Sequence, residues 1–263
     1  MTRIRLVVAA LGAALLVACG GGGGEPLPPP GTTQRSAIHS AETGITYDLM
    51  IWLPPGYAQE TARYPVIYAM DCESRFTTLG GVLQATGRRA ILVNVCAMGA
   101  ARRWVDFTMP GAAAYHRFLV RELIPFVDAG FRTDPANRIL NGHSLSGEFV
   151  LYALYLEDPG NRQFGAFVSE ECSCWYDAAM HFSQQLPEPI AMEQALYAAD
   201  PALPVTLVMA GDTLANAPSV RLVHDQLAAR GYSALRLHYF QYSLGHLPMD
   251  GPAFTDALGV LVR

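Results

Sequence analysis

One turn in the middle of the chain constrains the fold more than any other feature of the sequence. The strand-like run Arg138–Asn141 leads directly into Gly-His-Ser-Leu-Ser-Gly at 142–147, and Phe149–Leu154 then continues at helical spacing. A strand, a tight turn and a helix in this order lift a serine hydroxyl above the edge of a sheet. We therefore predict that Ser144 is a nucleophile on a strained turn. We expect further strain at Ser146, which stands where the pattern has glycine.

Apolar runs and helical patterns alternate on both sides of this turn. The predicted strands are Thr46–Leu53, Val66–Met70, Ala90–Val95, Arg138–Asn141, Ala166–Ser169, Val205–Ala210 and Leu235–Gln241. Helical spacing marks Ala112–Phe131 and Val220–Arg230, and Pro187–Ala199 is predicted to be a helical insertion over the sheet edge. This alternation predicts a single α/β domain, in which helices cover both faces of a mostly parallel sheet.

Candidate partners for the serine follow two later strands. A serine hydroxyl is a weak nucleophile and needs an adjacent base, which a carboxylate orients. We predict His246, in the loop after the last strand, as the general base, and Asp212 as the acid that orients it. Asp250 and Asp200 are alternative acids. The remaining histidines are predicted to be structural: His39, His116, His143, His181, His224 and His238.

An oxyanion hole needs two preorganised N–H donors, one of them from the residue that follows the nucleophile. Leu145 supplies that donor. The loop Met70–Ser74 follows an earlier strand and is predicted to supply the second, from Cys72 or Glu73.

The basic residues exclude several other chemistries. All 18 are arginine, and the chain contains no lysine, which excludes Schiff-base lysine chemistry and a Walker-type phosphate site. The formal net charge of −5 gives no basic surface for nucleic acid. We expect a small molecule as the partner, with no protein partner and no nucleic acid.

The N-terminus has the pattern of an export signal. Two arginines precede the apolar run Leu6–Val17, which is too short to span a bilayer. The run ends in Leu16-Val17-Ala18-Cys19, which resembles the lipobox of bacterial lipoproteins and implies lipidation of Cys19. We therefore predict a signal peptide at 1–18, a lipid-anchored flexible linker at 19–35 and the folded domain at 36–263. The predicted location is the periplasmic face of the outer membrane, and ordinary secretion is the alternative.

Export would place the other cysteines in an oxidising compartment. Cys72 and Cys96 each end a predicted strand, and neighbouring parallel strands would bring them within disulfide reach, although two buried thiols explain the sequence equally well. Cys172-Ser173-Cys174 with His181 matches no standard zinc spacing, so we predict no metal.

Three segments together resemble the Putative esterase family, which includes esterase D and the siderophore esterases of the enterochelin and bacillibactin type. They are Tyr64–Asp71, Arg103–Pro110 and Gly142–Tyr152. The resemblance extends from about Ala41 to the C-terminus. It implies an α/β-hydrolase fold, ester hydrolysis through an acyl-serine and no cofactor. By position, Ser144 matches the family's nucleophile and His246 its histidine.

The chain departs from the family pattern in three places. Asp71-Cys72 replaces the usual Asp-Gly, residues 169–176 replace Ser-Pro-Ser-Leu-Trp-Trp, and Leu214 stands where members often carry a carboxylate. Some siderophore esterases of the family work as a Ser-His dyad, so the resemblance gives a dyad without an acid as an alternative to the triad. Trp104 and Trp175 are candidate aromatic walls for an aryl or catecholate ester. We expect hydrolysis of short or aromatic esters. A catalytically silent binding lipoprotein and an acyltransferase are the alternatives.

Overall fold

Eight strands form one sheet in a computed structural model that describes residues 30–174 and 187–262. The strands are β1 Thr32–His39, β2 Thr46–Leu53, β3 Tyr64–Met70, β4 Ile91–Val95, β5 Thr133–His143, β6 Ala166–Glu170, β7 Thr206–Asp212 and β8 Arg236–Tyr242. Their order across the sheet is β1-β2-β4-β3-β5-β6-β7-β8. Strands β1 and β2 run antiparallel to their neighbours, and β3 to β8 are all parallel.

Helices connect the parallel strands. They are α1 Cys72–Thr86, α2 Ala100–Phe107, α3 Gly111–Phe118, α4 Ile124–Gly130, α5 Leu145–Leu156, α6 Pro187–Ala199, α7 Ala217–Arg230 and α8 Asp250–Leu261. A five-residue π turn, Leu119–Leu123, joins α3 to α4, so the helix predicted at Ala112–Phe131 forms as three consecutive segments.

The hydrophobic core lies in two layers, one on each face of the sheet. Helices α1 and α8 contribute Leu83 and Phe254 to one layer, and α5 contributes Phe149 to the other. Side chains of β3 alternate between the two layers and are almost all fully buried. Strands buried on both faces need apolar residues at successive positions, which is why the sequence shows continuous apolar runs. The predicted α/β class and mostly parallel sheet are confirmed.

The predicted boundary between linker and domain is wrong at its C-terminal end. Strand β1 begins at Thr32, inside the segment 19–35 that the sequence assigned to the linker, and Thr32 pairs with Leu53 of β2. Residues Thr32 to Arg35 are polar and exposed, so they show no apolar pattern. Main-chain pairing with β2 makes this segment a strand. The predicted signal peptide and Cys19 lie outside the described residues.

No helix within residues 30–174 and 187–262 is both long enough and apolar enough to cross a membrane.

Candidate active site

Ser144 stands on a strained turn between β5 and α5. Its backbone torsions are φ 61° and ψ −120°, which residues other than glycine rarely adopt. A Cβ on Gly142 would lie 2.2 Å from the carbonyl oxygen of Ser146, so glycine is required there. The Ser144 amide donates to the Glu170 carbonyl at 2.9 Å, which fastens the turn to the end of β6. The strand, turn and helix predicted from the sequence are present.

Ser146 does not carry the extra strain that the motif led us to expect. Its backbone lies outside the left-handed region. The Ser146 hydroxyl accepts the His143 amide at 3.0 Å and donates to Asp71 Oδ2 at 2.7 Å. The close crossing of α5 and β6 falls instead at Gly147, where a Cβ would lie 2.7 Å from the Glu170 carbonyl oxygen. Serine fits at 146 because the crossing needs glycine one residue later.

The structure brings Ser144 and His246 to the wall of one cavity of about 920 Å³. His246 lies in the loop that follows β8, with 36% of its side chain exposed. The Ser144 hydroxyl lies 3.4 Å from the hydroxyl of Ser173. The cavity opens at the carboxyl ends of the parallel strands, where ligands collect in open α/β sheets.

His143 forms a hydrogen bond with the loop that carries His246. His143 Nε2 lies 2.8 Å from the backbone carbonyl of His246, and the two imidazole rings are 4.8 Å apart between centroids. Burial, together with the Arg75 guanidinium, lowers the pKa of His143 to about 4. His143 is therefore neutral at pH 7, and because a carbonyl only accepts hydrogen bonds, Nε2 is the nitrogen that carries the proton.

Asp212, the predicted orienting acid, binds the loop of His246 through main-chain amides. Its Oδ2 accepts the amides of Leu244 at 2.6 Å and Gly245 at 3.0 Å, and its Oδ1 accepts that of Leu214 at 2.8 Å. Burial alone would raise the pKa of Asp212, but these donors outweigh it and hold the pKa below its usual value. Asp212 thus fixes the backbone just before His246.

Within the residues that the structure describes, the carboxylate next to the His246 ring is that of Glu171, which directly follows β6. Glu171 Oε1 lies 3.8 Å from His246 Nδ1, and the Glu171 side chain is fully buried. The alternative acids have other partners. Asp250 pairs with Arg75 at 2.6 Å, and Asp200 pairs with Arg162 at 2.7 Å.

The predicted oxyanion donors begin two helices at the same edge of the sheet. Leu145 is the first residue of α5, while Cys72 and Glu73 open α1. The sequence assigned Cys72 and Glu73 to a loop, but Asp71, with φ 64°, turns the chain directly from β3 into the helix. The first amides of a helix have no acceptor within it and carry its positive dipole end. All three are thus suitable donors to an anion.

Two ion-pair groups, centred on Arg75 and Arg103, lie at the cavity wall. Of their members, Arg75, Arg103 and Glu170 were not identified as site residues from the sequence, whereas Asp250 was an alternative acid. Arg75 Nη2 lies 2.5 Å from Glu170 Oε2 and 2.6 Å from Asp250 Oδ1. Burial raises the pKa of Glu170 well above its usual value. Arg103 binds Asp71 through two nitrogens, at 2.7 and 3.0 Å. Glu170 could have been identified as a candidate because it ends a strand at the edge where catalytic groups collect.

Both cysteine pairs form disulfides. Cys72–Cys96 joins the start of α1 to the end of β4, with the Cα atoms 4.5 Å apart, which confirms the pairing considered from the sequence. Cys172 pairs with Cys174, so neither sulfur is a free thiolate for a metal. His181 lies outside the described residues.

The predicted aromatic walls remain predictions. Trp175 lies outside the described residues. Trp104 lies on α2 beside Arg103 and is 40% exposed, and the described wall of the cavity includes Arg103 but not Trp104.

An eight-stranded sheet of this order, with a strained serine after β5 and a histidine after β8, defines the α/β-hydrolase class. A family model described as Putative esterase matches residues 40–218, and the chain belongs to that family. Ferri-bacillibactin esterase BesA of Bacillus subtilis (strain 168) is 30% identical over 153 residues, which cover 46% of this chain. The chain spans about half, 53%, of the length of that relative.

Solved structures support the same fold. An IroE-like serine hydrolase from Shewanella oneidensis superposes with a TM-score of 0.72 at 22% identity, over 86% of this chain and 78% of that one. BES protein from Bacillus cereus gives a TM-score of 0.70 at 21% identity, over 88% and 96% of the two chains.

Proposed function

We propose that this protein is a serine esterase in which Ser144 is the nucleophile and His246 the general base. The observation that carries the proposal is that a serine held at φ 61° and a loop histidine line the same cavity. Family membership supports ester hydrolysis as the reaction. The buried groups around the pair fix both main chains, as preorganised catalysis requires.

The reaction proceeds in two halves. Ser144 Oγ attacks the ester carbonyl carbon while its proton passes to His246, and the carbonyl oxygen becomes an oxyanion. The N–H of Leu145, with that of Cys72 or Glu73, donates to this oxyanion. The alcohol leaves with the proton from His246, and an acyl-serine remains. Water then repeats the sequence, which releases the acid and restores the Ser144 hydroxyl.

We propose siderophore-type or aromatic esters as the substrate class. The family relative BesA is named as a ferri-bacillibactin esterase, which supports this class. The cavity of about 920 Å³ lies near the upper end of the usual range for ligand pockets. Trp104 and Trp175 are proposed to contact the aromatic part of the substrate.

A fluorophosphonate probe tests the nucleophile, and Ser173→Ala is a matched control because the Ser173 hydroxyl lies 3.4 Å from that of Ser144. We expect labelling of the wild type and of Ser173→Ala, and none of Ser144→Ala.

Turnover of short p-nitrophenyl esters and of a trilactone siderophore should fall by about 10³-fold or more in Ser144→Ala. Labelling that persists in Ser144→Ala would refute the nucleophile. A wild type that is neither labelled nor active would favour a silent binding protein, and turnover confined to long lipids would contradict the substrate class.

We also propose that Cys19 is lipidated and anchors the domain in the cell envelope. The lipobox-like run Leu16–Ala18 before Cys19 and the Gly- and Pro-rich stretch after it support this proposal.

A further inference from the structure

The imidazole of His246 faces a carboxylate from an unexpected strand end. Glu171 follows β6 directly, and its backbone adopts φ 49°, a left-handed conformation that is costly for a glutamate. The resulting turn places Glu171 Oε1 3.8 Å from His246 Nδ1. Since Nδ1 faces Glu171, the other ring nitrogen, Nε2, is the one available to a serine hydroxyl.

Main-chain contacts fix the Glu171 side chain in this position. Its Oε2 accepts the Asp212 amide at 2.5 Å, and its Oε1 accepts the amide of Asn216. The Glu171 backbone amide donates to the Ala210 carbonyl at 2.7 Å. The carboxylate is thus embedded in the turn between β7 and α7, although it comes from β6. Both oxygens are held and the side chain is fully buried, so Glu171 has the rigidity that an orienting group needs.

The other carboxylates on the cavity side are bound elsewhere. Asp212 accepts three main-chain amides, and Asp250 and Glu170 share Arg75. Asp71 binds Arg103 and Ser146, and Glu73 accepts the amides of Ala97 and Met98. Among the carboxylates of the residues that the structure describes, Glu171 is the one with an oxygen within 4 Å of a His246 ring nitrogen, at 3.8 Å.

We propose that Glu171 is the positioning residue that orients His246, in place of Asp212; this inference rests on the proposed serine-esterase function. When the Ser144 proton passes to His246 Nε2, the ring becomes an imidazolium whose Nδ1–H points at Glu171 Oε1. The carboxylate stabilises that cation and receives no proton. Asp212 accepts hydrogen bonds from the amides of Leu244 and Gly245. In this proposal Glu171 therefore orients the His246 ring, and Asp212 positions the loop that carries it.

The test compares Glu171→Gln with Asp212→Asn in the full chain by the pH dependence of kcat and kcat/KM. Three titratable groups face the His246 ring, namely Glu171 from the end of β6, His143 from β5 and Asp212 from β7, and Arg75 and Asp250 line the same cavity. Loss of the Glu171 charge makes protonation of the imidazole less favourable. We expect Glu171→Gln to lower kcat by about 10²-fold or more and to move the acidic limb of the kcat/KM profile to lower pH. Asp212→Asn should lower kcat less and shift that limb less.

Glu171→Asp withdraws the charge by one methylene and should recover part of both effects, which keeps the test decisive if Glu171→Gln does not fold. A downfield proton resonance from His246 Nδ1–H should be present in the wild type and Asp212→Asn, and lost in Glu171→Gln. The inference is overturned if Asp212→Asn causes the larger kcat loss and limb shift while both Glu171 variants stay within about threefold of the wild type. Inactivity of the wild type, or activity of Ser144→Ala, would instead refute the proposed function.

Discussion

At the scale of single residues, polar side chains fix the backbones that carry the candidate nucleophile and base. Ser146 links the turn of Ser144 to Asp71, and His143 donates from Nε2 to the carbonyl of His246. His143 is also buried, and it remains neutral because its pKa is lowered to about 4. A buried neutral histidine makes the free energy of unfolding depend on pH, because in mild acid the histidine is protonated in the unfolded chain and stays neutral in the folded chain.

The His143 contribution predicts a loss of stability on acidification. Between about pH 6.5 and pH 4 the unfolded state binds the His143 proton and the folded state does not, so the free energy of unfolding falls as the pH falls. His143→Gln keeps an N–H donor for the His246 carbonyl but does not titrate. We expect the difference in free energy of unfolding, wild type minus variant, to fall by about 3 kcal/mol from pH 7 to pH 4. Urea unfolding across this range measures it, and parallel pH curves for the two proteins would contradict the prediction.

At the scale of elements, the junction of β3 with α1 is fixed to the end of β4. Cys72 and Glu73 open α1, and the Cys72–Cys96 disulfide and the Glu73 contacts to the amides of Ala97 and Met98 tie them to the segment after β4. These contacts hold two of the predicted oxyanion donors in place. The disulfide joins residues 24 apart in sequence, whereas Cys172 and Cys174 are 2 apart.

The two disulfides should therefore contribute unequally to stability. A cross-link stabilises mainly by restricting the unfolded chain, and the effect grows with the length of the closed loop. We expect the double variant Cys72→Ala with Cys96→Ala to lose about 3 kcal/mol of unfolding free energy and to show a lower kcat. The matched control, Cys172→Ala with Cys174→Ala, should lose less than about half as much. Urea unfolding gives both values, and equal losses would contradict the chain-entropy argument.

At the scale of the whole molecule, the candidate site lies at the carboxyl ends of the parallel strands, and the start of the described chain lies near their amino ends. Thr32 pairs with Leu53, and the neighbouring Trp52 pairs with Leu92, near the amino end of β4. The first described residues thus lie beside the amino ends of the parallel strands, whereas Ser144 and His246 lie beyond their carboxyl ends.

This arrangement predicts that loss of the proposed lipid anchor leaves ester hydrolysis almost unchanged. Cys19→Ala should incorporate no labelled palmitate and should leave the membrane fraction, because it lacks the sulfur that we propose carries the lipid. Its kcat/KM for a soluble p-nitrophenyl ester should stay within about twofold of the wild-type value, since the first described residues lie far from the carboxyl ends of the strands that carry Ser144 and His246. Cell fractionation and the ester assay measure the two effects. Lipid label that persists in Cys19→Ala would refute the anchor, and a tenfold loss of activity would contradict the expected retention of ester hydrolysis.

Much of the fold could be predicted from the sequence because its signals are local. The apolar runs located the strands from β2 to β8, and the pattern at 142–147 located the turn of Ser144. Strand β1 was missed because Thr32–His39 is largely polar and exposed. Its strand conformation comes from pairing with β2, and no pattern within the segment records that partner.

The sequence by itself determined which groups are available: a serine between a strand and a helix, a histidine after the last strand and acids after several others. Only the tertiary structure decided which acid meets which base. Glu171 and His246 belong to different strand ends, and their contact depends on a left-handed turn at Glu171 and on amides from Asp212 and Asn216. A carboxylate's partner is set by the distances between chain segments far apart in sequence, and those distances exist only once the sheet has formed.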